Sequence, residues 1–323
     1  MTFSESVSDF AAGDITAGNA TVSNFAGSGA SYSFDLVPSS DGTVTADIAA
    51  GVAQDSVLNT NTAASQLSIS YDGTPPPAPV VNSPAPSSLT NDTTPTASGT
   101  AEANATISVY FDGSLNGTTA ADASGNWSYT PSSALTGNTS HTVKVKATDA
   151  AGNSSFDSNT NTFMIETTAP SVVGISRFSP ASATTNASSV DFFVVFSESS
   201  LAGLNSSDFI LTTTGAISGA SVSSVAYANG ASATVTVNTG SGDGSIRLDL
   251  KDDDTITDAA GNKLGGTGTG NGDYTAGQSF TIDKTGPTVS MSTTITSPTN
   301  TSPIPVRDSK IINHPKLLPV QCR

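Results

Sequence analysis

The sequence contains little of what most enzymes, metal centres and membrane proteins require. Of its 323 residues, one is cysteine, two are histidine and 11 are lysine or arginine. A disulfide framework and a zinc site built from Cys and His are therefore excluded. No apolar run approaches the ~20 residues that cross a bilayer, so membrane insertion is not expected. Nucleic acid is not expected as a partner either, because phosphate binding requires clustered Lys and Arg.

The charge that is present is mostly acidic, and most of it is aspartate. Asp and Glu together number 27, which gives a formal net charge of -16. Only four of them are glutamate, which favours helices, whereas aspartate favours turns and hard-cation sites. Because no useful stretch shows a 3.6-residue periodicity either, the sequence predicts a protein that is poor in helix.

Short segments alternate apolar and polar residues with the period of two that is typical of a half-buried strand. Turns rich in Gly, Asn, Asp, Ser and Pro separate them. The predicted inward sets are Ala105/Ile107/Val109/Phe111, Val143/Val145/Ala147, Tyr32/Phe34/Leu36, Val44/Ala46/Ile48, Leu67/Ile69/Tyr71, Val235/Val237 and Ile246/Leu248/Leu250. Many short strands at close spacing predict an all-β fold of antiparallel β-sandwiches.

A motif of the form acidic-x-Thr-x-Pro occurs three times, each time after a strand-like run. The three copies begin at Asp72, Glu166 and Asp283. Proline stiffens a connector and cannot continue a sheet ladder, so we interpret these motifs as joints between domains. The predicted domains are residues 1–72, 73–168 and 169–285, followed by the start of a fourth at 286–306 and an atypical tail at 307–323.

A second repeated motif, Asp-x-x-x-Asn, lies shortly before each joint. Its copies are Asp55–Asn59, Asp149–Asn153 and Asp258–Asn262. The first copy has Leu58 where the other two have glycine, so its loop is expected to differ.

Several further motifs occur in order along the chain. They are Asn91–Pro95, Gly99–Glu102, Gly125–Trp127, the Phe-Ser-Glu-Ser sequence at residues 3–6 and 196–199, and Asp252–Asp254. Together with the joints and the Asp-x-x-x-Asn loops, they resemble the bacterial immunoglobulin-like repeats of large surface adhesins and biofilm-associated proteins. The resemblance covers residues 1 to about 306. It implies a secreted or surface-attached bacterial protein, tandem Ig-like sandwiches in an extended array, and often calcium at the joints.

Calcium is the one site chemistry that the residues themselves favour, because Ca²⁺ takes carboxylate, amide and carbonyl oxygens in flexible geometry. We expect each Asp-x-x-x-Asn loop to combine with the acidic residue of the joint that follows it. The alternative is a turn without metal, because Asp122–Asn126 has the same form in mid-domain. The candidate ligands are Asp55, Asn59 and Asp72 at the first joint, Asp149, Asn153 and Glu166 at the second, and Asp258, Asn262 and Asp283 at the third, helped by Asp252 and Asp254.

Catalysis and sugar binding have weaker support. No G-x-S-x-G elbow occurs, and we interpret His141 as a solvated strand end, so a serine nucleophile has no activating base. A single tryptophan, Trp127, is more typical of core packing than of a sugar platform. The glycine-rich segment Gly265–Asp273 is interpreted as a flexible loop, because a calcium-binding β-helix needs several tandem copies.

We therefore predict a non-enzymatic stalk segment of an extracellular or cell-surface adhesin. Its partners would be neighbouring Ig-like repeats of the parent chain and an unknown surface ligand. Two alternatives stay open, an accessory spacer of a secreted enzyme and a carbohydrate-binding sandwich. Catalytic residues elsewhere in the gene would favour the first, and an exposed Trp/Tyr face would favour the second.

The two ends of the chain suggest a fragment of a longer array. Residues 1–10 match the middle of the third domain, so the first domain is expected to lack its first strand. Residues 288–306 look like that missing opening. We expect a disordered tail at 307–323, because it holds four of the 11 basic residues together with His314 and Cys322.

Overall fold

The computed structural model describes residues 1–228, 230–292 and 302 and the backbone of 307–308. Met1–Ala169 with Ala259–Asn262 form one compact unit, and Pro170–Asp258 with the described residues from Lys263 onward form another. These described ranges consist of strands and turns, with two 3₁₀ helices of three residues each. No helix there is long and apolar enough to span a membrane. The all-β prediction is confirmed.

The first unit begins with a five-stranded domain. β1 pairs with β3, and a second sheet has the order β2-β4-β5. A 3₁₀ helix, Ala12–Asp14, precedes β2. Its small core centres on Phe10, whose ring lies 5.1 Å from that of Tyr32 and 5.2 Å from that of Phe3. The strands are β1 (Thr2–Val7), β2 (Ile15–Gly18), β3 (Ala20–Pro38), β4 (Gly42–Ile48) and β5 (Leu67–Tyr71).

The second domain of this unit has eight strands in two sheets. The larger has the order β10-β9-β12-β13-β7 and the smaller β11-β8-β6. All pairs are antiparallel except that of β7 with β13. The strands are β6 (Val80–Ser83), β7 (Leu89–Thr90), β8 (Ala97–Thr100), β9 (Thr106–Phe111), β10 (Ser114–Ala120), β11 (Asn126–Tyr129), β12 (Thr139–Thr148) and β13 (Asn161–Ile165).

The second unit has the same general plan, with sheets of order β14-β16-β19-β18 and β15-β21-β20-β17. A 3₁₀ helix, Ser206–Asp208, precedes β17, and β15 is the short strand that pairs in parallel, with β21. The strands are β14 (Val172–Ser179), β15 (Thr184–Thr185), β16 (Ser189–Phe196), β17 (Phe209–Gly215), β18 (Ser221–Tyr227), β19 (Ser232–Asn238), β20 (Gly244–Leu250) and β21 (Ser279–Ile282), with a two-residue pair, β22 (Met291–Ser292) and β23 (Arg307–Asp308), further on.

Strand periodicity correctly predicted which side chains enter the core in the second and third domains. Ile107, Val109, Val143 and Val145 are fully buried in the second domain. The buried core clusters contain five residues in the first domain, 13 in the second and 17 in the third. The first domain therefore has a much smaller core, although its strands show the same alternation.

One predicted strand forms without burying its inward set. Leu67, Ile69 and Tyr71 all lie on β5, as expected, yet all three are exposed. In the part of the chain that the structure describes, β5 pairs with β4 on one side and with no strand on the other. Half-burial was therefore the wrong expectation for this strand, because alternation predicts a face but not the presence of the elements that cover it.

Candidate functional site: the joints

Each joint begins with a short turn made by its acidic residue. The N–H of Thr74 donates to Asp72 Oδ1 at 3.0 Å, and the N–H of Thr168 donates to Glu166 Oε1 at 2.6 Å. The third joint repeats this, with the N–H of Thr285 donating to the Asp283 carboxylate at 3.3 Å. The spacing acidic-x-Thr thus encodes a local turn in which the side chain accepts from the backbone two residues on.

A side chain from the preceding domain holds each turn. Asp41 accepts from the N–H of Gly73 at 2.7 Å and from the Thr74 hydroxyl. Asp243 accepts in the same way from the N–H of Lys284 at 2.6 Å and from the Thr285 hydroxyl. We call this arrangement the joint clamp. It fixes the first residues of the connector to the domain that they leave.

Asparagine does the same at the second joint. Asn138 Oδ1 accepts from the N–H of Thr167 at 2.8 Å and from the hydroxyls of Thr167 and Thr168, both at 3.3 Å. A neutral amide oxygen therefore replaces the carboxylate oxygens of Asp41 and Asp243. The clamp depends on acceptor geometry, and a negative charge is not essential to it.

Sequence reasoning missed the three clamp residues, although strand register could have located them. Each immediately precedes the strand that pairs with the last strand of its domain. Gly42 pairs with Tyr71, Thr139 with Ile165 and Gly244 with Ile282. The residue before each of these strands therefore lies opposite the acidic residue that opens the joint. The repeated Asp-Gly of Asp41-Gly42 and Asp243-Gly244 was the signal available in the sequence.

Hydrogen bonds lower the pKa of the two carboxylate clamps. For Asp41 the main cause is the Thr74 hydroxyl, followed by the N–H of Gly73; the nearby Asp149 charge opposes them. The Thr285 hydroxyl and the N–H of Lys284 lower the pKa of Asp243. A carboxyl whose pKa is lower in the folded state stabilises that state above its unfolded pKa, near 3.8. Both clamps should therefore weaken as the pH falls below about 4.

The Asp-x-x-x-Asn loops are closed turns in which the Asn satisfies the Asp. Asp149 accepts from the N–H of Asn153 at 2.8 Å and from its Nδ2 at 2.9 Å. The mid-domain copy has the same form, with Asn126 donating to Asp122 from its N–H at 2.8 Å and from Nδ2 at 3.3 Å. The side-chain amide of Asn153 is also the main cause of the lowered pKa of Asp149. Turn formation alone thus accounts for this motif.

The loops do not meet the joints that we expected. Asn153 Nδ2 donates to the main-chain carbonyl of Asp72 at 3.0 Å, at the joint before its own domain. Asn262, which belongs to the first unit, likewise donates from Nδ2 to the Glu166 carbonyl at 3.0 Å and to Oε2 at 2.6 Å. Pairing Asp149/Asn153 with Glu166, and Asn262 with Asp283, was therefore wrong.

The reason is the length of the last strand. The Asp149–Asn153 loop follows the end of β12, beyond the start of the antiparallel β13, whereas Glu166 follows the end of β13. Five strand residues span about 17 Å, so these groups lie at opposite ends of the domain. The same applies to Asp55 and Asn59, which hydrogen-bond each other and precede β5, and to Asp72, which follows β5.

Asp252 and Asp254 hold the glycine-rich segment instead of assisting the third joint. Asp252 Oδ2 accepts from the N–H of Gly272 at 3.2 Å, and the Asp252 carbonyl accepts from the N–H of Gly270 at 3.0 Å. Asp254 accepts from the N–H of Gly268 at 3.2 Å and from Lys263 Nζ at 3.1 Å. Asp258, the remaining candidate of this set, is buried.

A metal ion would need a different donor set from the one predicted. The described residues contain no group of three or more His, Cys, Asp or Glu that could hold a metal. At the first joint the Asn153 NH₂ group donates both to the Asp149 carboxylate and to the Asp72 carbonyl. An ion there would need the Asn153 amide reversed to present Oδ1. Calcium binding stays a prediction.

Leu58 does not alter its loop, contrary to expectation. The N–H of Asn59 still donates to Asp55 Oδ1 at 2.9 Å and Nδ2 to Oδ2 at 2.8 Å. Leu58 instead adopts a φ of +69°, the region that Gly152 occupies at +97° in the second domain. An L-residue is strained in this conformation, and Leu58 is exposed, so little packing compensates.

Replacing Leu58 with glycine is therefore expected to stabilise the first domain by about 1 kcal/mol. The matched control is Gly152→Ala, which should destabilise the second domain by about the same amount, because nothing lies within 4 Å of the added Cβ. Domain-resolved hydrogen exchange in a urea series measures both changes. A destabilised first domain in L58G would show that the leucine side chain matters more than its backbone.

His141 is buried, so its interpretation as a solvated strand end was wrong. Its Nδ1 lies 2.7 Å from Asp112 Oδ2 and its Nε2 lies 2.8 Å from the carbonyl oxygen of Thr136. Two acceptors flank the ring, and only the protonated imidazolium can donate to both. Burial lowers the pKa of His141, but the hydrogen bonds to Thr136 and Asp112 outweigh it and the net shift is upward.

The second domain should therefore lose stability as the pH rises from about 6.5 toward the raised pKa of His141. A group with a raised folded-state pKa stabilises fully below its unfolded value and loses that contribution above it. Urea unfolding followed by the fluorescence of Trp127 reports this domain. His141→Gln should show no such fall in that interval. An equal fall in wild type and H141Q would assign the pH dependence to another group.

Trp127 lies in the core of the second domain and is 3% exposed. It packs with Val81 and the other buried residues of both sheets. A sugar platform requires an exposed aromatic face, which this side chain does not offer. The predicted core role of Trp127 is confirmed.

Comparisons with known proteins agree with this architecture. Two family models, each described as a bacterial Ig-like domain, match residues 1–71 and 83–167. Residues 1–71 and 83–167 are therefore bacterial Ig-like domains, which confirms the family resemblance in this part of the chain. A search of curated proteins found no match.

Three solved structures are similar to the chain at low identity. A biofilm-associated protein BSP domain is 18% identical with a TM-score of 0.23, covering 51% of this chain and 30% of that one. A tetra-tandem repeat from the extending region of a large adhesion protein is 20% identical with a TM-score of 0.25, covering 87% and 66%. The E. coli alpha-2-macroglobulin is 12% identical with a TM-score of 0.26, covering 87% and 23%. The chain thus spans less than two thirds of each.

Proposed function

We propose that this chain is a spacer segment of a bacterial adhesin that lies outside the cell or on its surface. Tandem Ig-like domains would hold a binding or anchoring module, located elsewhere in the parent protein, away from the cell. The observation that carries the proposal is the recurrence of the joint turn and its clamp after β5, β13 and β21. After each domain, a side chain of that domain holds the first residues of the connector. This repeated arrangement suits a spacer, because a spacer connects successive domains through ordered joints.

The chemistry of the described residues also supports a non-enzymatic role. His141 is buried between Asp112 and Thr136, where it cannot reach a substrate as a general base. The carboxylates at the joints accept hydrogen bonds from backbone and threonine groups. An accessory spacer of a secreted enzyme would need the same tandem domains and hydrogen-bonded joints. Only the neighbouring parts of the gene distinguish an adhesin spacer from an enzyme spacer.

Surface display tests the spacer role directly. The full chain is placed between a cell-surface anchor and a small binding tag, and capture of bead-bound tag ligand is measured. We expect deletion of residues 73–168 to reduce capture, because the tag then lies nearer the cell. A double substitution of exposed residues, Leu115→Ser with Phe156→Ser, should leave capture unchanged. Adhesion of the untagged chain to glycans or host matrix would contradict a passive spacer.

Calcium at the first joint is the second part of the proposal. It is favoured by the like charges of Asp41 and Asp149, which repel each other, and by the Asp72 carbonyl, which shares the Asn153 amide with Asp149. A cation would relieve this repulsion, and extracellular calcium modules bind at about 10⁻⁴–10⁻³ M. Millimolar calcium should then stabilise the second domain by about 1 kcal/mol through mass action.

Two asparagine substitutions separate a joint site from an ordinary turn. Asp149→Asn should abolish the calcium effect on thermal unfolding, followed through Trp127 fluorescence. Asp122→Asn is the matched control, because Asp122 makes the same loop away from any joint. Identical melting curves of the unaltered chain in calcium and in chelator would reject calcium binding while leaving the spacer role intact.

A further inference from the structure

One position of the last strand differs sharply among the three domains. Phe163 on β13 is 1% exposed and Phe280 on β21 is 0% exposed. Ile69, at the same distance before the acidic joint residue on β5, is 54% exposed. The position two residues further on repeats the contrast, with Ile165 and Ile282 buried and Tyr71 exposed.

Ile69 lines a mostly apolar groove in the first domain. The groove measures about 830 Å³ and lies between β5 and the β3–β4 part of the domain. Phe34, Leu36, Ile48, Leu67 and Ile69 are among its lining residues. The lining also includes Ser33, Asp35 and Ser65. An exposed, mostly apolar groove with a polar border is typical of an interaction site.

The other domains show what covers the corresponding surface. In the third domain β14 brings Ile175 into the core at 3% exposure, and β15 pairs in parallel with β21. In the second domain β6 brings Val81 into the core, and β7 pairs in parallel with β13. Both covering strands come directly after a joint. Within residues 1–71 the structure has no counterpart of either strand.

We propose that the groove of the first domain binds residues 288–306 of a second copy of this chain as added β-strands. Residues 288–306 follow the third joint just as β14 and β15 follow the second joint. In the order of elements along the chain, they therefore have the same place as the strands that cover the other domains. This segment contains no Asp, Glu, Lys or Arg, so it brings no charge into an apolar groove on a chain of net charge -16.

In the described part of the segment, the backbone of Met291–Ser292 pairs with Arg307–Asp308, a two-residue ladder that strand addition to the groove would replace. Val289 is 88% exposed and Met291 is 80% exposed. On β5 the outer edge offers backbone N–H and C=O groups to an incoming strand, and Leu67 and Ile69 offer apolar side chains. Because donor segment and groove lie at different places on one chain, the contact is head-to-tail and produces open oligomers.

Light scattering during size-exclusion chromatography, over a series of loading concentrations, tests this association. The average mass of the 32.2 kDa chain should rise through multiples of the single-chain value as concentration increases. Ile69→Asp should keep the chain at a single-chain mass. Val37→Asp is the matched control, because Val37 is similarly exposed on β3 and does not line the groove. It should associate like the unaltered chain.

A synthetic peptide of residues 287–306 provides a second, independent measurement. It should bind the full chain, suppress the mass increase, and protect β5 amides from hydrogen exchange. A scrambled peptide should do none of these. A single-chain mass at every concentration, association that persists in I69D, or peptide binding that leaves β5 unprotected would each overturn the proposal.

Discussion

Truncating the phenylalanine of the last strand is expected to cost the second and third domains about 3–5 kcal/mol each. Phe163→Ala and Phe280→Ala both remove a fully buried ring that contacts another aromatic ring. The loss combines the transfer free energy of the ring with the cavity that it leaves. Ile69→Ala, at the equivalent position of the first domain, should cost less than about 1 kcal/mol, because Ile69 is exposed.

Domain-resolved measurements are needed to compare the three substitutions. Trp127 fluorescence during urea unfolding reports F163A, and hydrogen exchange of β21 and β5 reports F280A and I69A. Equal losses at all three positions would show that β5 is covered in solution. Performed at low and at high protein concentration, the I69A measurement also distinguishes an uncovered β5 from one covered by a second copy.

Removing the side chain of Asn161 is expected to cost the second domain about 2–4 kcal/mol. Asn161 is 2% exposed, and its Nδ2 donates to the carbonyl oxygens of Val81 at 3.1 Å and Pro84 at 2.9 Å. Its Oδ1 accepts from Asn159 Nδ2 at 2.8 Å. Asn161→Ala removes a donor from the carbonyl oxygens of Val81 and Pro84 and the acceptor of Asn159 Nδ2. An unsatisfied buried polar group costs about 1–3 kcal/mol.

The same substitution should loosen β6, the first strand after the first joint. Asn116→Ala is the control, because it also removes a side-chain hydrogen bond, from the Tyr129 hydroxyl, but at an exposed site. It should cost less than about 1 kcal/mol. Trp127 fluorescence reports both variants. A small loss in N161A would mean that water replaces the asparagine at the two carbonyls.

The sequence predicted the local structure of strands and turns better than it predicted which distant residues contact each other. Alternation placed Ile107, Val109, Val143 and Val145 in the core, because a strand with one buried face must alternate. The acidic-x-Thr spacing located the turns after β5, β13 and β21, because each turn closes within three residues. Both are short-range features, in which neighbouring residues alone determine the conformation.

Features that depend on the partner of a strand were not predictable in this way. The partner of Asn153 is the Asp72 carbonyl, 81 residues away, and it follows from which end of the domain the loop occupies. The exposure of Ile69 depends on strands that cover the other domains, and the burial of His141 depends on Asp112, 29 residues earlier. Periodicity contains no information about such distant partners.

Pulling the full chain by its two ends in a single-molecule force experiment tests the central claim, that the chain is a series of separately folded spacer domains. At up to about 3.6 Å per extended residue, β1–β5, β6–β13 and β14–β21 extend to at most roughly 250, 310 and 400 Å. We expect separate unfolding events of about these lengths, each reduced by the end-to-end distance of the folded domain. Events of these lengths in one trace would support a spacer built of independent domains. One single event that releases the whole length would contradict it.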